Sequence, residues 1–320
     1  MPLEHTSPGV ATALEPDLRH DFRPRRILVA TDFSDHATNG LQHAIGLADV
    51  YSSSIHVLSV IVIHDSSADP AEREVENLVD RARVDSIPEL ERWTGPSTTS
   101  VREAPAAAPA ILEYAQEEDV DLIVMGSRGL RGIRRLLLGS VTEEVIRESR
   151  WPVLTVHEAE RAVLPYRTIL APVDFSSRTT RQIDVAADIA EHFGATLELL
   201  HSVDPPTVPD LYVPVGAAAT DLGAIMTNVA SRLEELTATL PASLDATTSV
   251  LVGSAAAEIA RHAKGRADLI VMPTHGHSGL DRILLGSTAE GVLRRVDCPV
   301  LVLTGDRIDD GRIPENRDRA

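Results

Sequence analysis

The sequence contains one cysteine, Cys298, and a single thiol excludes any internal disulfide. That usage fits a chain kept in a reducing cytoplasm. Aromatic residues are scarce, at 3%, while hydrophobic residues reach 43%, so whatever core forms must be aliphatic. Cores of Val, Ile, Leu and Ala suit parallel sheets buried on both faces by helices. No run approaches the roughly 20 apolar residues that cross a bilayer, and Met1 to Pro24 holds no apolar segment of the signal-peptide kind. Residues 1–24 and 306–320 carry no periodicity and read as a disordered lead and tail. Metal-ligand patterns are missing too. His36 and His43 stand seven apart, and His275 and His277 flank Gly276, but neither pair has the third convergent ligand that a metal centre needs. No activated serine or cysteine motif and no carboxylate pair of defined spacing is present, so the residues point away from an enzyme.

Lysine is the other absence. Of 30 basic residues only Lys264 is lysine, set against 48 acidic residues and a net charge of −18. A surface this acidic repels nucleic acid and anionic membrane, so neither is an expected partner. Acid excess nearly without lysine fits a high-salt cytoplasm, where carboxylates hold water and screening weakens self-repulsion. A GC-rich genome encoding an ordinarily acidic protein accounts for the same bias.

What is present is a repeat. Asp121 to Leu154 aligns without a gap onto Asp268 to Leu301 at an offset of 147, and 18 of the 34 positions are identical. Upstream, Ile27-Leu-Val-Ala-Thr-Asp-Phe-Ser34 matches Ile169-Leu-Ala-Pro-Val-Asp-Phe-Ser176 at an offset of 142. Identity at this level means one domain written twice, about residues 25–158 and 166–305, joined by a linker over 159–165. Within the first copy strand segments at Ile27 to Thr31, Ile55 to Ile63, near Thr98 to Arg102, Leu122 to Met125 and Pro152 to Val156 alternate with helical periodicity. Ser34 is placed to cap the first of these helices. Strands alternating with helices imply an α/β fold with a parallel sheet, and ligands then belong beyond the carboxyl ends of the strands.

The unusual residues fall at that place. After the strand ending at Met125 comes Gly126-Ser-Arg-Gly129-Leu-Arg-Gly132-Ile-Arg-Arg-Leu-Leu-Leu-Gly139-Ser140. Glycines let backbone N–H groups approach an anion without a Cβ in the way, and a helix opening at Gly139-Ser140 offers its free N–H groups and positive dipole end. Arg128, Arg131, Arg134 and Arg135 concentrate positive charge against the acidic trend of the whole chain. A P-loop would need Gly-Lys-Ser/Thr, and a dinucleotide fingerprint would follow the first strand, where Thr31-Asp32-Phe33-Ser34 has no glycine. Both serines open a Ser-x-x-Glu pattern, Ser140 with Glu143 and Ser287 with Glu290, so capping boxes are a competing account of them. Asp32 and Asp174 can likewise serve as helix-entry residues, and Cys298, aligned with Trp151, reads as a packing position.

Gly126, two residues, Gly129, nine residues and Gly139-Ser140, together with the first-strand aspartate and the Asp121-Leu-Ile-Val-Met-Gly126 strand, resemble the ATP-binding motif of the universal stress protein family. The resemblance spans both copies. It implies two tandem five-stranded parallel-sheet domains of the adenine nucleotide α-hydrolase-like, Rossmann-like type, and a stress-response protein that binds ATP without being an enzyme. In the first copy it assigns Ala30, Thr31, Asp32 and Val60 to the adenine and ribose end. Met125 belongs to the same site, Gly126, Arg128 and Gly129 would wrap the ribose and phosphates, and Gly139, Ser140 and Val141 would hold phosphate at the helix start. Mg²⁺ or Mn²⁺ would arrive with the triphosphate. In the second copy Asp174, His275, Gly276, Gly286, Ser287 and Thr288 form a weaker counterpart, because Pro273 replaces the first glycine and Ser202 replaces Val60. Relatives pair the last strands of two domains, so Pro152 to Val156 and Pro299 to Leu303 should pair within this chain as an internal pseudo-dimer, with a homodimer of chains beyond that. A nucleotide-independent scaffold and a slow ATPase or nucleotide α-hydrolase enzyme stand as alternatives.

Overall fold

The computed structural model describes residues 22–63, 70–128, 138–157, 164–204, 222–274 and 285–304. The first copy runs β1 (Arg26–Thr31), α1 (Asp35–Tyr51), β2 (Ser54–Val62), α2 (Pro70–Asp85), α3 (Pro88–Arg92), β3 (Ser97–Ala104), α4 (Ala107–Glu117), β4 (Leu122–Gly126), α5 (Ser140–Glu148) and β5 (Val153–Val156). The second runs β6 (Thr168–Pro172), α6 (Thr179–Phe193), β7 (Thr196–Val203), α7 (Leu222–Thr237), β8 (Ala246–Val252), α8 (Ala255–Ala263), β9 (Leu269–Pro273), α9 (Ser287–Leu293) and β10 (Val300–Leu303). No helix among the described residues is long and apolar enough to cross a membrane.

Strands lie in the order β3-β2-β1-β4-β5-β10-β9-β6-β7-β8. Each copy supplies five parallel strands, as expected, but they are not two separate sheets. The expected pairing of last strands joins them: β5 and β10 run antiparallel, with Val153 opposite Val302 and Thr155 opposite Val300, and the sheet is ten-stranded. The inner strands β4, β9 and β10 are wholly apolar because helices cover both faces; all five residues of β4 are buried.

Two aliphatic cores result, one on each face, and each crosses the seam between the copies. Leu41 and Leu47 of α1 share the first with Ile183 and Ile189 of α6 and with Tyr166. Ile111 of α4 and Val145 of α5 share the second with Ile259 of α8 and Val292 of α9. The seam also carries polar ties. His43 Nδ1 lies 3.0 Å from the Tyr166 hydroxyl, and Tyr51 donates to Asp188 at 3.4 Å. The Thr155 hydroxyl reaches the Val300 carbonyl at 3.2 Å, and Arg294 pairs with Glu143 at 3.7 Å. Cys298 is packed here as the sequence implied; burial pushes its thiol up to about 12, which keeps it protonated and unreactive. Because the seam is antiparallel, the carboxyl ends of the two sets of strands face opposite edges of the sheet, and each copy has its own crevice.

Candidate functional site

The crevice of the first copy starts where β1 ends. Thr31 Oγ1 accepts the Phe33 N–H at 3.0 Å, Asp32 Oδ1 accepts the Ser34 N–H at 3.1 Å, and Ser34 Oγ caps α1 by accepting the Ala37 N–H at 3.3 Å. These three bonds hold Phe33 in the left-handed region at φ 61°. A non-glycine residue there costs on the order of 1 kcal/mol, and such strain gathers at ligand sites. Arg83 lies over the Phe33 ring at 5.4 Å. The helix-entry role of Asp32 is therefore real, and it commits Oδ1.

At the end of β4, Gly126 has a packing reason to be glycine. A Cβ would stand 2.8 Å from His36 Cβ and 3.0 Å from the Ala37 nitrogen, so the first turn of α1 rests on its bare Cα. Next, the Ser127 N–H donates to Val156 at 2.7 Å and the Ser127 carbonyl accepts the Gly139 N–H at 2.9 Å. Thr142 Oγ1 donates to the Gly126 carbonyl at 2.8 Å. The two ends of the glycine loop are thus clipped together, with Arg128 half-buried on the outgoing end. Gly129, Arg131, Arg134 and Arg135 lie outside the described residues. Ser127 is 1% exposed, and its hydroxyl finds no hydrogen-bond partner among the described residues. An unsatisfied buried hydroxyl costs about 1–3 kcal/mol, so the Ser127 side chain has hydrogen-bonding capacity to offer at the loop base.

The helix start differs from the capping-box expectation. Gly139 is the N-cap of α5, in extended backbone at φ −65° and ψ 140° and without a side-chain cap bond; Ser140 is the first helical residue. The Gly139 carbonyl already accepts the Glu143 N–H at 2.8 Å, which places the cap one residue before the serine. Gly286 and Ser287 repeat this in the second copy. Both serines therefore stand exposed in the first turn, where the N–H groups of α5 and α9 lack intrahelical partners.

Val60, Val141 and Leu138 converge with Ala30 and Met125 on one side of the sheet's carboxyl edge, all packed into the α4–α5 core. They form an apolar wall beside the clipped loop. Thr31 does not join them, because alternation along β1 turns its side chain to the other face. There it lines a cleft of about 310 Å³ with Phe33, Thr38, Arg83 and Pro88. This cleft lies on the Thr31 side of β1, whereas the apolar wall lies on the Ala30 side.

The second copy keeps the frame and changes the edge. Asp174 Oδ1 accepts the Ser176 N–H at 2.9 Å, Phe175 sits at φ 57°, and the Gly286 N–H donates to Thr274 at 2.9 Å. Thr288 is half-buried in the first turn of α9, while His275 and Gly276 lie outside the described residues. Ser202, in the place of Val60, donates to the Gly253 carbonyl at 2.8 Å instead of presenting an apolar surface. Pro172 and Pro273 stand where Ala30 and Gly126 stand, and proline brings no N–H. Gln182, fully buried, donates from Nε2 to Pro172 and to Val271, both at 2.8 Å; its counterpart in the first copy is Gly40. Two residues important to the edges, Gln182 and His157, gave no motif. Comparing the copies position by position would have flagged both, since they face Gly40 and Thr304.

The sequence model of the universal stress protein family matches this chain twice, over residues 24–157 and 165–304. A universal stress protein of Methanocaldococcus jannaschii is 31% identical over 144 residues, 43% of this chain and 84% of that protein. One from Mycobacterium tuberculosis is 29% identical over 204 residues, 61% of this chain and 64% of its own length. The crystal structure of a universal stress protein from Archaeoglobus fulgidus superimposes with a TM-score of 0.63 at 22% identity, covering 88% of this chain and 99% of that one, which supports the fold.

Proposed function

The chain belongs to the universal stress protein family, and on that premise we propose that it is an ATP-binding stress-response protein whose first copy holds the nucleotide. The observation that carries this reading is the clip between Ser127 and Gly139, which aims the free N–H groups of α5 into the crevice beside an apolar wall. Adenine would lie against Val60, Ala30 and Met125, with Asp32 at the ribose end. Gly126, Arg128, Gly129, Gly139, Ser140 and Val141 would surround the phosphates. The Ser127 hydroxyl at the loop base suits such a polar ligand. The triphosphate would bring Mg²⁺ or Mn²⁺ with it. In this reading the protein is cytoplasmic and acts through occupancy rather than turnover. In the second copy two prolines and Ser202 remove backbone donors and apolar surface, so its site is weak or serves only architecture.

Calorimetric titration of Mg²⁺-ATP in concentrated KCl tests this. Wild type and Gly276→Asp should bind alike, while Gly129→Asp, which sets a carboxylate against the phosphates, should lose at least about tenfold in affinity. Wild type giving no heat with any adenine nucleotide would leave the scaffold reading in its place.

A further inference from the structure

The residue after the last strand of each copy bonds to a backbone carbonyl of the other copy. β5 ends at Val156, whose carbonyl holds the Ser127 N–H at the root of the phosphate loop, and His157 follows at once. The His157 ring is buried and its Nε2 lies 3.1 Å from the carbonyl of Leu293, the last residue of α9. A carbonyl can only accept, so Nε2 carries the proton and donates, which leaves Nδ1 as a bare lone pair. Nδ1 is buried and has no hydrogen-bond partner among the described residues. Facing the ring are Arg128 of the loop, His36 of α1 and the backbone carbonyls of Leu293 and Cys298. At the end of α9, Arg294 is engaged with Glu290 at 2.5 Å and with Glu143 of α5 at 3.7 Å. The matching position in the second copy is Thr304, whose hydroxyl donates to the Trp151 carbonyl under the other loop.

We infer that His157 is a positioning residue for the first copy's phosphate site: by anchoring the end of β5 to α9, it sets the loop root and makes nucleotide affinity in one copy depend on contact with the other. The chain is short and continuous. Leu293 holds His157, Val156 holds Ser127, and Ser127 holds Gly139 at the helix start. Phosphate arriving beside Arg128 alters the field at Nδ1, whose lone pair no hydrogen bond shields among the described residues. The inference rests on nucleotide binding by the first copy, and the test separates the two ideas.

His157→Phe keeps the bulk and removes the donor; His157→Gln restores a donor near Nε2; Thr304→Val breaks the equivalent seam bond under the other loop. Mg²⁺-ATP affinity should fall roughly five- to tenfold in His157→Phe, recover to within about twofold in His157→Gln, and stay unchanged in Thr304→Val, a span usual for residues that couple sites. Equal losses in His157→Phe and Thr304→Val would mean general loosening of the seam and overturn the inference, as would unchanged affinity in His157→Phe. Should His157→Phe not fold, ¹⁵N-histidine spectra of the wild type decide: the Nδ1 resonance absent from His157→Gln should shift with ATP occupancy, and a resonance indifferent to saturating ATP overturns the proposal. Wild type that binds no ATP refutes the functional reading instead.

Discussion

The two carboxyl edges of this sheet are built on one frame and finished differently. Both have an aspartate closing a turn around a left-handed phenylalanine, and both have a glycine N-cap one residue before a serine. Both clip the loop ends through a backbone bond of 2.9 Å. They part at the strand ends. Gly126 lets α1 begin at Asp35 with a Ser34 cap; Pro273 occupies the matching space, and α6 begins only at Thr179, two residues later in register and without a side-chain cap. The shared features frame each edge, and the two edges part at Ala30 against Pro172, Val60 against Ser202 and Gly126 against Pro273.

The largest expected effect is on acid stability, and it belongs to the first copy alone. Burial holds His43 and His157 down to about 4, the latter helped by Arg128 and His36, against an ordinary value near 6.5. Their counterparts Val185 and Thr304 do not titrate. With folded values depressed, the unfolded chain binds more protons between these limits, so stability is fully present above about pH 6.5 and is lost as pH falls toward 4. Each histidine accounts for on the order of 2–3 kcal/mol across that window. Denaturant unfolding of wild type between pH 7 and 4.5 should show the decline. His43→Val and His157→Thr should each flatten it, and a wild-type profile that is already flat would remove the difference between the copies.

Next in size is Gly126→Ala. Its Cβ would meet His36 Cβ and a backbone nitrogen, neither of which a rotamer change can move away, so about 2 kcal/mol of stability should be lost and α1 displaced. Pro273→Ala should change stability by less than about 1 kcal/mol, through the unfolded chain. Gln182→Leu follows, at roughly 1–2 kcal/mol, because it strips the amide partner from the Pro172 and Val271 carbonyls. Equilibrium unfolding measures all three. A Gly126→Ala protein as stable as wild type would show that the close approach of α1 is not what requires glycine.

Much of this was legible in the sequence. The repeat fixed the number of copies, alternation fixed their class, and the pairing of Pro152 to Val156 with Pro299 to Leu303 followed from likeness to a family. The glycine loop announced its own position. What the sequence could not show was register at the single-residue level. Ser140 and Ser287 satisfy a capping-box pattern, yet the cap falls on the glycine before each, because a chain leaving the Ser127–Gly139 clip is already extended there. Nor could it show which face Thr31 takes, or that His157 and Gln182 reach across elements, since neither belongs to a local pattern.

The smallest effect is the most discriminating for the helix start. Ser34→Ala removes a cap that accepts the Ala37 N–H, and should cost about 1 kcal/mol of stability. Ser140→Ala removes no cap, so its stability should stay within about 0.5 kcal/mol of wild type. If the serine instead serves a phosphate, Mg²⁺-ATP affinity should drop several-fold in Ser140→Ala, as the loss of one hydrogen bond to a charged group implies. Ser287→Ala in the second copy should leave both quantities unchanged. Stability lost with affinity intact in Ser140→Ala would return the serine to a structural role, and the clip alone would then have to account for phosphate at the head of α5.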